Sequence, residues 1–105
     1  MSENRKFSVL MSVYVKENPV FLEEAVESII HQTLKPSEVV IVEDGPLTPE
    51  LYQVLEKLEA QSSIPIKRWP LEQNRGLGLA LQNGVLQCQY DVIARMDTDD
   101  IAVED

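Results

Sequence analysis

The feature that most constrains this chain is an alternation: four short runs rich in β-branched and aromatic residues are separated by three stretches of helical periodicity. The runs are Phe7 to Tyr14, Glu38 to Glu43, Ile64 to Leu71 and Tyr90 to Met96. Between them, apolar residues recur three and four apart: Leu22, Ala25, Val26, Ile29 and Ile30, then Leu51, Val54, Leu55 and Leu58, then Leu77, Ala80, Leu81, Val85 and Cys88. Strands that alternate with helices predict a parallel sheet covered by helices, an α/β architecture. The near-continuous EVVIVE of residues 38–43 fits a strand buried on both faces.

Local signals set the element boundaries. Asn18-Pro19 and Thr48-Pro49 each join a capping side chain to a proline whose missing N–H a first helical turn does not need. The first helix is expected to end near Thr33, before Pro36, with Glu23, Glu24 and Glu27 facing away from the core. Pro65 and Pro70 remove ladder donors from the third run, which places it at a sheet edge. Gly84 weakens the middle of the third helix. Right-handed crossovers narrow the topology; if the first three strands step outward on one side and the fourth returns beside the first, the result is a Rossmann-like open sheet of order 3-2-1-4. Its crevice opens between the carboxyl ends of strands one and four.

That topology gathers distant residues. Ser12, Val13, Tyr14 and Glu17 lie at or after the end of strand one, Asp44 follows strand two, and Asp97, Asp99 and Asp100 follow strand four. Three carboxylates within four residues repel one another and are costly to desolvate together unless a cation neutralises them. Hard oxygen donors in a short D-x-D suit Mg²⁺ or Mn²⁺, which leave positions open for water and phosphate oxygens. The expected ligand is a diphosphate. An Asp-rich turn can equally cap a helix or bind water, and placement at the switch point is what favours the metal. His31, Phe21 and Trp69 read as packing residues, with His31 either in the core or on the surface. Gly76-Leu77-Gly78 lacks the third glycine of a dinucleotide fingerprint and follows the wrong strand, so it is set aside.

Composition excludes other classes. With 18 Asp and Glu against 9 Lys and Arg, the net charge of −9 repels nucleic acid and anionic lipid. Cys88 is the one cysteine in 105 residues, which rules out an internal disulfide and a cysteine metal cage. The segment MSENRKFSVLMSVYV lacks a signal-peptide pattern, and no apolar run reaches the length of a membrane span. The expected location is the cytoplasm, or peripherally the inner face of the plasma membrane.

SVLMSVYVKENPVFLEEAVESIIHQTLKPSEVVIVEDGP, NRGLGLALQNG and ARMDTDD, in this order and spacing, resemble the amino-terminal, nucleotide-binding half of family 2 glycosyltransferases of GT-A fold. The resemblance looks closest to the bacterial exopolysaccharide branch related to amylovoran biosynthesis. It implies metal-dependent transfer of a sugar from a nucleotide-diphosphate sugar to an acceptor hydroxyl on a saccharide or lipid-linked saccharide. By the same resemblance, Ser12, Val13 and Tyr14 line the base with Glu17 nearby, and Asp44 hydrogen-bonds the base edge. Asp97 and Asp99 form the D-x-D near ribose and metal, with Asp100 an additional or alternative ligand. Residues 1–105 would form the donor half, with the acceptor half and its catalytic carboxylate downstream of residue 105. The chain departs from the common pattern at Ser12 (often proline), at Glu43-Asp44 (often two aspartates) and at Leu81 (often arginine). A sugar-phosphate nucleotidyltransferase would need a glycine- and arginine-rich loop after strand one, which VYVKENP does not supply. A receiver-type Mg²⁺-binding domain would need an acidic pair there and a lysine after a fifth strand. An assembly role, with the crevice unused, is the remaining alternative.

Overall fold

A computed structural model describes residues 6–32 and 34–96. The elements run β1 (Ser8–Val13), α1 (Pro19–His31), β2 (Glu38–Glu43), α2 (Pro49–Gln61), β3 (Ile66–Pro70), α3 (Leu77–Gln87) and β4 (Ile93–Arg95). All strand pairs are parallel, and the sheet order is β3-β2-β1-β4. This is the α/β arrangement that the alternation predicts, with the strand order expected for a fourth strand that returns beside the first.

The period of two along each strand divides the core. Val9, Met11, Val13, Val39 and Ile41 point to the face covered by α1 and α2, where Leu22, Val26, Ile29, Leu51 and Leu55 complete a dry cluster. Leu10, Val40 and Val42 point to the other face, against Ala80 of α3. β2 is buried from end to end because β1 and β3 flank it and helices cover both faces.

Both expected caps are present. The Asn18 side chain accepts the N–H groups of Val20 (2.8 Å) and Phe21 (3.3 Å), and Thr48 Oγ1 accepts that of Leu51 (3.2 Å). α1 stops at His31, two residues before the expected Thr33, and Lys35 Nζ reaches back to the Ile30 carbonyl at 2.6 Å. β4 is shorter than expected, although the Val92 carbonyl still accepts the Ser8 N–H at 2.9 Å. At the sheet edge the Pro65 carbonyl accepts the Val39 N–H at 2.9 Å, so the proline joins the ladder as an acceptor.

Three packing expectations are corrected. Phe21 is 51% exposed and Trp69 is 39% exposed, so neither is a core residue. Phe21 falls on the outer side of the first turn of α1, and Trp69 sits on an edge strand whose α3-side face is only partly covered. Val85 is also exposed, whereas Gly84 meets the sheet one turn after Ala80. A Cβ at Gly84 would lie 2.3 Å from Leu10 Cδ1 and 2.8 Å from Val42 Cγ2. The glycine therefore marks a close approach of helix to sheet, not a weak point in the helix.

Gly84→Ala consequently sets overpacking of about 1–3 kcal/mol against a helix-propensity gain of up to about 1 kcal/mol. A net loss of about 1 kcal/mol is expected in urea unfolding; a more stable variant would show that α3 can lift from the sheet without cost.

Candidate functional site

The carboxyl ends of β1 and β2 meet at Asp44. Its N–H donates to the Val13 carbonyl at 2.7 Å, which ties the start of the β2–α2 turn to the end of β1. Asp44 is 4% exposed, and its carboxylate turns towards α3. Oδ1 accepts the Arg75 N–H at 2.7 Å and Oδ2 accepts the Gly76 N–H at 3.1 Å. The Asn74 side-chain amide donates to the Asp44 carbonyl at 3.3 Å. One residue thus joins three elements of the sheet's carboxyl end.

Two glycines make this junction possible. Gly45 has φ +90° and lies so close to the 73–74 backbone that a Cβ would sit 2.7 Å from Asn74 N. Gly76, also at positive φ, starts α3 without a side-chain cap of its own. Asp44, more than thirty positions earlier, accepts the N–H groups at that helix entry. Gly76, the first glycine of the stretch set aside as a fingerprint, is therefore part of the junction, as one of the two N–H donors to the carboxylate. A distant partner leaves no local sequence signal.

The other expected residues fall as follows. Ser12 is half-buried at the end of β1. The Val13 side chain is fully buried under α1 and α2, so only its backbone reaches the crevice side. Tyr14 is 40% exposed just past the strand, and its carbonyl accepts the Glu17 N–H at 3.1 Å. Met96 donates to the Leu10 carbonyl at 3.0 Å, continuing the alignment of β4 with β1. Asp97, Asp99 and Asp100 lie outside the described residues. Among the described residues, no group of three His, Cys, Asp or Glu could hold a metal ion.

Beside Asp44, Glu43 is 3% exposed and points to the opposite face, where Arg68 Nε donates to Oε2. Arg68 also reaches Glu59 on α2, with Nη1 3.1 Å from Oε1. Burial disfavours the Arg68 charge, but the hydrogen bonds and negative charges of Glu43 and Glu59 more than offset it and raise its pKa above the ordinary value. Sequence reading missed this pair, since strand residues 25 apart carry no local signature.

At the amino-terminal end of the sheet, buried Glu38 accepts the Ser8 hydroxyl and the Gln89 N–H, both at 2.6 Å. Burial pushes the nearby Cys88 thiol up, with the Glu38 charge adding to the shift, so the cysteine is a poor nucleophile at neutral pH.

An open parallel sheet of this order with helices on both faces defines a Rossmann-like α/β protein, and its structural neighbours are GT-A glycosyltransferases. Residues 8–105 match the sequence profile described as Glycosyl transferase family 2, and the chain belongs to that family. It is 54% identical over 100 residues to an uncharacterized glycosyltransferase of Haemophilus influenzae, covering 95% of this chain and 37% of that protein. It is 47% identical over 96 residues to the UDP-Gal:alpha-D-GlcNAc-diphosphoundecaprenol beta-1,3-galactosyltransferase of Escherichia coli, covering 91% and 34%. It is 46% identical over 97 residues to the amylovoran biosynthesis glycosyltransferase AmsE of Erwinia amylovora, covering 92% and 36%. The chain therefore spans roughly a third of the length of these relatives.

Among solved structures, residues 1–349 of S. aureus TarS in complex with UDP superpose with a TM-score of 0.75 at 29% identity, over 91% of this chain and 28% of that one. The mannosyltransferase PcManGT of Pyrobaculum calidifontis, in complex with GDP-Man and Mn²⁺, shares the fold with a TM-score of 0.79 at 18% identity, over 94% and 29%. Among the described residues, no helix is long and apolar enough to cross a membrane.

Proposed function

We propose that this chain is the donor-binding part of a metal-dependent glycosyltransferase, which passes a sugar from a nucleoside diphosphate to a saccharide or lipid-linked saccharide hydroxyl in polysaccharide synthesis. The observation that carries the reading is the Asp44 carboxylate, held beside the carboxyl end of β1 by two backbone N–H groups. The UDP complex of TarS and the undecaprenol-linked substrate in the name of the galactosyltransferase relative support the donor and acceptor classes.

In this reading Ser12, Tyr14 and the Val13 backbone border the base, with Glu17 on the turn beyond. Asp44 accepts from the base edge. A carboxylate has about four lone-pair directions, and Arg75 and Gly76 take two, which leaves acceptor capacity for a ligand donor. Asp97 and Asp99, with Asp100 as a further or substitute ligand, offer hard oxygen donors that fit Mn²⁺ or Mg²⁺. Bound there, such an ion would neutralise charge on the departing nucleoside diphosphate. The catalytic base is placed downstream of residue 105, outside this chain. The proposed setting is cytoplasmic, at or near the inner face of the plasma membrane.

An acceptor-only carboxylate favours bases with a ring N–H on the pairing edge: uracil, thymine and guanine. Cytosine and adenine present a lone pair at that position. Titration of UDP, dTDP, GDP, CDP and ADP into the natural-length protein with Mn²⁺ is expected to show at least one of the first three binding about 10-fold or more tighter than the last two, the scale of one unmet polar contact. Equal affinity for all five would remove Asp44 from the base edge, and no binding at all would sink the reading.

A further inference from the structure

The two acidic residues that end β2 are held from opposite faces of the sheet. Asp44 is held on the α3 side by backbone N–H groups. Glu43 is held on the α2 side by a cation from the edge strand. Resting on the donor-binding reading above, we propose that Arg68 is a positioning residue: through Glu43 and Tyr52 it fixes both flanks of the Asp44–Gly45–Pro46 turn, and so sets where the Asp44 carboxylate meets the nucleotide.

The contacts form a continuous bracket. Arg68 pairs in register with Ile41, two residues before Glu43, and its guanidinium bridges Glu43 on β2 to Glu59 on α2. Its Cζ lies 6.0 Å from the centroid of the Tyr52 ring. The Tyr52 hydroxyl in turn accepts the Leu47 N–H at 3.0 Å. Glu43 and Leu47 are the residues on either side of the turn, so one cation reaches one flank directly and the other through an aromatic ring.

An aliphatic residue at position 68 would suit the face on which Ile66 already packs. Removing the cation strands Glu43, because a buried carboxylate without a partner is strongly unfavourable. It would turn towards water and take its neighbour with it. Asp44 is covalently next, and its bonds to Val13, Arg75 and Gly76 depend on where that neighbour stands. A displacement near 1 Å at a binding residue can cost up to about 100-fold in function.

The test uses the natural-length protein with Mn²⁺. It compares Arg68→Met, Arg68→Lys, Glu43→Gln and the surface control Lys57→Ala, which breaks the exposed pair with Glu23. Two quantities are read: affinity for the nucleoside diphosphate that the unaltered protein binds best, and hydrogen exchange of the Arg75 and Gly76 amides relative to Ile29 and Ile30 in α1, without nucleotide. Arg68→Met is expected to weaken binding about 10-fold and to speed relative exchange at Arg75 and Gly76 by a similar factor. Arg68→Lys should recover part of both effects, and Lys57→Ala should change neither.

Unchanged affinity and relative exchange in folded Arg68→Met would overturn the proposal. So would an equal rise in exchange at all four amides, which marks a general loss of stability. If the unaltered protein bound no nucleotide, the donor-binding reading would fail, and the exchange ratio would still decide whether Arg68 positions Asp44. Glu43→Gln carries the same comparison if Arg68→Met does not fold.

Discussion

Asp44→Ala is expected to remove nucleotide binding and to lower stability by about 1–3 kcal/mol, as two N–H groups lose a carboxylate acceptor. Both effects arise from one group. The N–H donors of Arg75 and Gly76 stand at the entry to α3, where Gly76 has no side chain to serve as a cap. Without the carboxylate that entry loosens, and the Asn74 amide loses its register with the Asp44 carbonyl. Asp44→Asn separates the two roles: it keeps the shape and one oxygen, so it should retain part of the stability while still impairing recognition of a base N–H. Urea unfolding beside calorimetric titration reads both quantities. A variant that loses stability and keeps nucleotide affinity would make Asp44 a structural cap only.

The second large effect is expected at the aspartates after β4. Replacing Asp97 and Asp99 together with alanine in the natural-length protein should abolish Mn²⁺-dependent nucleotide binding and lower transfer by about 1,000-fold or more, the scale of losing a principal electrostatic stabiliser of the leaving group. A chelator added to the unaltered protein should reproduce the loss, and excess Mn²⁺ should reverse it. Binding that survives both treatments would make the DTDD stretch a solvated turn. Because Asp97 follows Met96 directly, any general damage to β4 would also release the Met96 bond to Leu10, and exchange at the Met96 amide distinguishes that case.

The succession of strands and helices was readable because its signals are local. Asn18-Pro19 and Thr48-Pro49 announce helices one residue at a time, and the unbroken EVVIVE announces a strand covered on both faces. The site was readable only as a gathering of segments. That Asp44 stands at the end of β2 follows from the topology. That its carboxylate faces the entry of α3 depends on the Asn74-Arg75-Gly76 turn folding back over a glycine, and no pattern in either segment signals the other. The errors have the same origin. Phe21 and Trp69 look like core residues because apolarity says what a side chain prefers, whereas the outer side of α1 and the sheet edge decide what each receives. Gly84 reads as a helix weakness until the Leu10 side chain is known to lie against it.

The prolines of β3 give the sheet a direction. The Pro65 carbonyl and the Leu71 N–H both face β2, so by the two-residue alternation of a strand the missing N–H of Pro70 falls on the outer side. A strand arriving there, from another molecule or a misfolded neighbour, would find an incomplete ladder, a common guard against edge-to-edge association. β4, the opposite border, contains no proline. Among the described residues, the sheet thus carries a proline guard on its β3 flank and none on its β4 flank.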